Sequence, residues 1–308
     1  MKTPVTIAPE ALDFTQLIRA GETIGWAEAT AEPVFLTRLL DAQAERCPPF
    51  RVFFALTFSD GFAADHPNVI VTALGGASAG RRFFANRADN VIPANISDIG
   101  GLVSSGRLPI DVVLVQVSGP DETGRYNAGL GIEHLHEAIG RARLVIAQVN
   151  PELPRTSGDA AIEPTAIDVL VPAALPPIEL PARPAGPIDR AIADHVARLI
   201  PDRATIELGL GAIPQAVTAA LGGKQGLGLH QIGDGVADLM EAGIVDNRHK
   251  EIDPAVTVAT MRERVRPRSV DCSAMIERPS ATRLAARIKS ICPPTRPMCL
   301  PRAVSALT

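Results

Sequence analysis

The hydrophobic positions of residues 1–180 alternate between helical spacing and short continuous runs. Residues 34–46 place their apolar side chains three and four apart, which predicts a helix between Pro33 and Pro48. Four nearly continuous apolar runs follow, at 51–58, 68–74, 110–117 and 143–149. Such runs are typical of strands buried on both faces. Because a helix is predicted over 131–142, between the last two runs, we expect a parallel sheet with crossover helices.

A second α/β unit is predicted after a proline-rich segment. Six prolines lie within residues 172–187, and this density excludes a helix or a sheet interior, so the segment is interpreted as a linker. The next helix is predicted over 187–200, and its apolar residues are expected on one face: Ile188, Ile192, Val196, Leu199 and Ile200. A strand at 205–208, a turn and a helix from Gln215 then repeat the α/β pattern.

The residues after Met261 differ in composition from the rest of the chain. Residues 262–308 carry a formal charge of +7 and leave −11 for the preceding residues, although the whole chain has only −4. They contain three of the four cysteines and six prolines, but no glycine and no aromatic residue. This composition favours a shifted reading frame or a degenerate C-terminus. A lineage-specific tail and a basic interaction segment remain alternatives, the last because residues 281–291 have the spacing of a basic amphipathic helix.

The charge and the cysteine content of the chain argue against several classes of function. A mildly acidic chain lacks the concentrated basic face that a nucleic-acid or membrane binder needs. No apolar run reaches 18 residues, and the N-terminus has no signal-peptide pattern. Four cysteines in such a chain indicate free thiols in a reducing compartment, so we expect a cytoplasmic protein without a metal site. The sequence leaves the oligomeric state open, a homo-oligomer included.

Two glycine-rich segments are candidate anion sites. Residues 209–214, GLGAIP, follow a predicted strand and precede a helix, where backbone amides would face a phosphate group. The segment is not a GxGxxG motif, since Pro214 takes the third position, and it lacks the lysine of a P-loop. Residues 74–82, LGGASAGRR, add an arginine pair. An ordinary turn for the first segment and a solvated surface loop for the second remain open.

Residues 25–33, GWAEATAEP, contain two carboxylates, Glu28 and Glu32. Acidic residues near a helix start are expected from the helix dipole, so a structural role is favoured over a functional one. His134 and His136 lie two apart on the predicted helix 131–142 and therefore point to different faces, which excludes their chelating one metal ion.

Long segments of the chain resemble the acetyl-CoA hydrolase/transferase family of CoA-transferases, which includes 4-hydroxybutyrate and butyryl-CoA:acetate CoA-transferases. The resemblance runs from about residue 15 to residue 260, and its matching segments stand in the family's order: GWAEATAEP (25–33), residues 107–134, residues 142–159, residues 188–217, DGVADLMEAGIVDN (234–247) and KEIDP (250–254). The resemblance implies an α/β fold with two open-sheet domains of the CoA-transferase type, of which the second is expected to be incomplete. We expect these domains at 1–171 and 188–260, with the linker at 172–187 and the atypical tail at 261–308.

The resemblance also implies the chemistry. CoA thioesters and carboxylic acids would be the substrates, no cofactor would be permanently bound, and a glutamate would form an acyl anhydride and then a glutamyl-CoA thioester. If water intercepts the intermediate, the same site is an acetyl-CoA hydrolase. The resemblance assigns CoA binding to the loop that contains Gly209, Gly211, Ala212, Ile213 and Pro214.

The sequence departs from the family where the nucleophile is expected. The family's stretch of the form His-Thr/Ser-Glu-Met precedes Ser-Asp-Gly, whereas this chain has His230 and Asp234-Gly235 with only Gln231, Ile232 and Gly233 between them. No glutamate is present there, and Glu241 falls on what resembles an ordinary family helix, so the catalytic residue is unknown. The alternatives are an inactive truncated remnant of the family and a regulatory ligand-binding module.

Overall fold

The computed structural model describes residues 2–63, 65–74, 91–132, 134–158, 160–179, 184–230, 234–251, 254–255, 257–259 and 275–277. Its strands in chain order are β1 (Val5–Thr6), β2 (Thr23–Trp26), β3 (Phe50–Phe54), β4 (Val69–Ala73), β5 (Val112–Val117), β6 (Tyr126–Asn127), β7 (Leu144–Val149), β8 (Ser157–Gly158), β9 (Ala161–Ile162), β10 (Val169–Pro172), β11 (Thr205–Glu207), β12 (Gly228–His230), β13 (Thr257–Ala259) and β14 (Met275–Glu277). Its α-helices are α1 (Phe14–Leu17), α2 (Val34–Gln43), α3 (Ile96–Ser104), α4 (Leu135–Ile139), α5 (Pro187–Leu199), α6 (Ala212–Ala220) and α7 (Asp234–Glu241).

The larger sheet has seven strands in the order β1-β10-β7-β5-β2-β3-β4, and every neighbouring pair is parallel. From β2 the chain moves outward on one side to β3 and β4, and then to β5, β7 and β10 on the other side. The strand order therefore reverses between β2 and β5. In open α/β sheets, ligands bind outside the carboxyl ends of the strands at such a reversal.

Alternate residues of the central strands enter two different cores. Val112 and Leu114 of β5 pack on one face, whereas Val113 and Val115 pack on the other. This alternation explains the continuous apolar runs, because both faces of the strand are covered. The expected α/β fold with a large parallel sheet is confirmed.

Most predicted elements are present with shifted ends. The helix predicted over 34–46 is α2 followed by a 3-10 turn at Ala44–Arg46. The helix predicted over 131–142 is only α4, five residues long. The four predicted strands correspond to β3, β4, β5 and β7.

The large apolar residues expected on one face of α5 are not its most buried residues. Ile188 and Leu199 are exposed, whereas Ala193 and Ala197 are buried against the neighbouring helices. The inward face is displaced by one residue from the isoleucine pattern, since small alanines permit close packing between helices. Val196 and Ile200 remain half-buried at the edge of that core.

The second sheet has the order β11-β12-β13-β14-β8, again with parallel neighbours. Its edge strand β8 comes from the first unit of the chain, and β14 comes from the compositionally distinct segment 261–308. A third sheet, β6-β9, is an antiparallel pair beside the first. The beginning of the proline-rich segment remains attached to the first sheet, because Asn150 Nδ2 donates to the carbonyl of Leu175 at 2.7 Å.

An ion pair at the amino-terminal end of the larger sheet should make the stability of the protein depend on pH. Arg143 donates to both oxygens of Glu22, at 2.5 and 2.7 Å. Burial raises the pKa of Glu22, but the hydrogen bonds and positive charge of Arg143 outweigh it and leave the pKa below its ordinary value. A carboxyl whose pKa is lower in the folded than in the unfolded state stabilises the fold at pH values above the unfolded-state pKa, and this stabilisation is lost as the pH falls through the folded-state pKa. Glu22→Gln should therefore lower the free energy of unfolding by about 1 kcal/mol at pH 7.

Urea unfolding of both proteins at a series of pH values between 7 and 3 measures this difference, which should shrink below the ordinary glutamate pKa. Glu10→Gln, at an exposed position, is the control and should have no measurable effect. A destabilisation by Glu22→Gln that is constant across this range would contradict the assignment.

Candidate functional site

The GLGAIP loop, residues 209–214, lies at the carboxyl end of β11 and opens α6. Gly211 is the N-cap residue, with φ 128° and ψ 177°, a conformation that is essentially restricted to glycine. Ala212, Ile213 and Pro214 form the first helical turn. The sequence placed the helix start at Gln215, and this prediction is wrong by three residues. A proline is tolerated in the first turn because its missing N–H has no partner within the helix.

The loop offers donors that a ligand could use. No described residue accepts a hydrogen bond from the N–H of Ala212 or Ile213, and Gly211 provides no side-chain cap. The positive end of the dipole of α6 lies at the same place and also favours a bound anion. Beside them, the side chains of Leu210 and Ile213 are 42% and 40% exposed. The loop therefore combines anion-binding amides with apolar side chains, as a ligand with charged and uncharged parts requires.

The sequence following β12 lies beside this loop. Glu207 of β11 pairs with His230 of β12 in the parallel register, and the N–H of Leu208 donates to the carbonyl of His230 at 3.4 Å. The carboxyl ends of both strands thus meet at one edge. The structure brings the GLGAIP loop together with His230 and the start of α7 at Asp234, while residues 231–233 lie outside the described residues.

A second group of polar residues lies at the carboxyl edge of the larger sheet, where the strand order reverses. Glu28 lies two residues after the buried strand β2, and its Oε1 lies 2.9 Å from Nδ1 of His134, just before α4. Both side chains are buried, and the ring of Phe53 packs edge-on against the imidazole. His134 is the N-cap residue of α4 rather than part of the helix, whereas His136 lies within α4 and is half-buried.

Glu32 is buried a few residues farther along the same turn. Its carboxyl accepts from the hydroxyls of Thr37, Thr57 and Ser59, at 3.1, 2.8 and 2.5 Å. Burial raises the pKa of Glu32 above its ordinary value, and the hydrogen bonds from Ser59, Thr57 and Thr37 offset this only in part.

Sequence reasoning identified Glu28 and Glu32 but assigned them a helix-dipole role, and it did not connect them with His134 or the hydroxyl residues. The strand that precedes them, β2, was not predicted, so nothing in the sequence indicated that these carboxylates lie at the carboxyl edge of a parallel sheet. The pairing of Glu28 with His134 has no local signal either, because about a hundred residues separate the two.

Other candidates receive less support. The LGGASAGRR segment (74–82) lies outside the described residues after Leu74. Within the described ranges, no three His, Cys, Asp or Glu side chains are grouped so as to hold a metal ion. Of the helices that the structure describes, none has the length and apolar character needed to cross a membrane.

The chain is similar to a known protein family and to several curated proteins. The family model for the acetyl-CoA hydrolase/transferase N-terminal domain matches residues 8–174, which confirms the resemblance found in the sequence. The chain is 41% identical over 178 residues to a 4-hydroxybutyrate coenzyme A transferase of Clostridium kluyveri, and 29% identical over 263 residues to a succinyl-CoA:cyclohexane-1-carboxylate CoA transferase of Geobacter metallireducens. These matches cover 57% and 81% of this chain.

A solved structure of RipA from Yersinia pestis superimposes with a TM-score of 0.77 at 26% identity and covers 89% of this chain. A 4-hydroxybutyrate CoA-transferase structure from Porphyromonas gingivalis, at 24% identity, shares the fold with a TM-score of 0.70. The chain spans 41% and 58% of the lengths of the two curated relatives and 68% of the RipA chain.

Proposed function

This chain belongs to the acetyl-CoA hydrolase/transferase family, and from that membership we propose that it transfers coenzyme A between a short-chain acyl-CoA and a carboxylate. The substrates are an acyl-CoA and a free carboxylic acid, in keeping with the names of the relatives. The reaction needs no permanently bound cofactor, because the energy of the thioester is conserved at each step.

The proposed chemistry proceeds through a glutamate. Its carboxylate attacks the thioester carbonyl, forming an acyl-glutamyl anhydride and releasing the CoA thiolate. The thiolate then attacks the glutamyl carbonyl, which forms the glutamyl-CoA thioester and releases the first carboxylate. The incoming carboxylate takes up CoA by the reverse of these steps. If water attacks instead, the acyl group is hydrolysed at the same site.

The observation that carries the proposal is that no described residue accepts a hydrogen bond from the N–H groups of Ala212 and Ile213 in the GLGAIP loop. We assign CoA binding to Gly209, Gly211, Ala212, Ile213 and Pro214. The N–H groups of the first turn of α6 would bind a phosphate or the developing oxyanion, and the glycines would let the ligand approach the backbone. Leu210 and Ile213 would contact the uncharged part of CoA.

Neither buried glutamate of the first sheet suits the nucleophile. The side chains of Glu28 and Glu32 are buried and engaged by His134 and by three hydroxyls, respectively. An attacking carboxylate must instead be exposed to the thioester. The catalytic residue of this chain is therefore not assigned.

An inactive remnant of the family is the second candidate function. It is favoured by the absence of a glutamate between His230 and Asp234, where the family resemblance places the nucleophile. A regulatory module that binds CoA without turnover is a further alternative.

Turnover distinguishes these functions. Purified protein is incubated with acetyl-CoA and butyrate, and butyryl-CoA is followed by chromatography while digested protein is searched by mass spectrometry for CoA attached to a glutamate. Transfer with a trapped glutamyl adduct is expected. Release of free CoA without butyryl-CoA would indicate the hydrolase. A folded protein that binds CoA with neither product would contradict the transferase and support the regulatory module, whereas absence of binding would support the remnant.

A further inference from the structure

The carboxyl of Glu32 joins three separate parts of the chain. Thr37 lies in the first turns of α2, whereas Thr57 and Ser59 belong to the segment that follows β3. Each donates its hydroxyl to the carboxyl. Glu32 itself ends the buried turn that follows β2. A single side chain therefore connects the turn after β2, the start of α2 and the segment after β3.

The backbone around Glu32 is held in the same place by other contacts. Ala29 adopts φ 54°, which is unusual for a residue other than glycine, and its N–H donates to the carbonyl of Leu56 at 2.9 Å. The N–H of Gly61 donates to Ser59 Oγ at 2.9 Å, and a Cβ at Gly61 would lie 2.6 Å from Thr37 Oγ1. Strained, closely packed backbone of this kind persists where the surrounding structure fixes it, often beside a binding site.

The position of this cluster relates it to ligand binding. The segment 55–61 continues from the carboxyl end of β3, next to β2, and β2 borders the reversal of strand order. A ligand that binds at this reversal, as ligands of open α/β sheets do, would have residues 55–61 on one side. Any change in the path of residues 55–61 changes the shape of that side.

The surroundings of Glu32 favour an uncharged carboxyl. The residue is 2% exposed, and none of the ion pairs among the described residues includes it. A buried carboxylate without a cation is costly, whereas a neutral acid can donate one hydrogen bond and accept others. Because a hydroxyl can accept as well as donate, a neutral carboxyl fits the same distances when it donates its proton to one of the three hydroxyls and accepts from the other two.

We propose that Glu32 is a positioning residue that acts as a neutral acid, fixing residues 55–61 against the turn after β2 and thereby one wall of the acceptor site. The role in substrate binding rests on the proposed CoA transfer. The role in holding residues 55–61 does not, and it is measured independently.

Glu32→Gln and Glu32→Met separate the parts of this proposal. Glutamine retains an acceptor and a donor in the same volume, so the hydroxyl contacts should persist. Methionine fills the space without either. Hydrogen exchange of the amides of residues 55–61 should become about tenfold faster in Glu32→Met, because a tenfold change corresponds to the loss of about one net hydrogen bond. In Glu32→Gln the exchange rates should stay within about twofold of those of the original protein. Glu152→Gln, at an exposed position, is the control.

The activity arm uses the acetyl-CoA and butyrate assay. The KM for butyrate should rise about tenfold in Glu32→Met with kcat within about threefold, and Glu32→Gln should restore both values. Unchanged exchange in Glu32→Met, or equal damage from glutamine and methionine, would overturn the proposal. If Glu32→Met does not fold, Thr57→Val removes one donor with little change of volume and should show the same local exchange. If the original protein has no activity, the proposed function fails while the exchange result still decides the holding role.

Discussion

Replacing Gly211 by glutamate should lower the affinity of the protein for coenzyme A about 100-fold, close to 3 kcal/mol. Two effects combine. A side chain at φ 128° and ψ 177° strains the backbone that presents the amides of Ala212 and Ile213. The added carboxylate also repels the phosphates of CoA at the end of the helix where an anion is otherwise favoured. Isothermal titration with CoA measures the affinity, and circular dichroism verifies that the variant is folded.

Two further variants separate the effects. Gly211→Ala introduces only the strain, whereas Gly209→Glu introduces only the charge, because a Cβ at Gly209 has no atom within 4 Å. Each should lower the affinity by about tenfold. If Gly209→Glu and Gly211→Glu both bind CoA as tightly as the original protein, the loop is not the CoA site, whatever the activity of the enzyme.

Replacing Gly129 by alanine should destabilise the protein by about 3–5 kcal/mol, the sum of backbone strain and overpacking. Gly129 has φ 64°, and a Cβ there would lie 2.6 Å from Leu153 Cγ and 2.7 Å from the carbonyl oxygen of Pro154. That carbonyl belongs to backbone, which cannot rotate away as a flexible side chain can. The neighbouring hydrogen bond from Thr156 Oγ1 to the Gly129 carbonyl, 2.8 Å long, would also be disturbed.

Gly124→Ala is the matched control for this prediction. Gly124 has φ 84°, but no atom lies within 4 Å of its added Cβ. Its alanine variant therefore tests the backbone conformation without the steric contact, and about 1 kcal/mol is expected. Urea unfolding followed by circular dichroism gives both values. Equal losses in the two variants would show that the contact with Leu153 and Pro154 does not contribute.

The sequence predicted the central strands well because their environment is simple. β5 and β7 are covered on both faces, so each apolar run corresponds directly to a buried strand. Strand β8 could not be predicted in the same way. It has only two residues, and its place is determined by pairing with β14 far away in the chain. The buried residues of α5 could not be read from its isoleucines, because close helix packing selects the small Ala193 and Ala197.

The candidate sites also differ in whether they depend on local sequence or on contacts between distant parts of the chain. The GLGAIP loop is a local feature, and strand, glycine turn and helix occur in immediate succession, so its position was predictable from residues 205–220. The contacts of Glu28 with His134 and of Glu32 with Thr57 depend on which strands become neighbours. That information lies in the strand order of the whole sheet, which the local pattern does not contain.

The entry of β8 into the second sheet has a consequence for folding kinetics. Ser157 pairs with Ile276, so about 120 residues must be made and brought back before that edge is formed. Contacts between residues so distant in the chain form slowly, because the entropy of closing the loop is lost before the contact stabilises it. We therefore expect the larger sheet to form first during synthesis. The second sheet would be completed last, and its unfinished edge would be the segment most prone to mispairing in the interval.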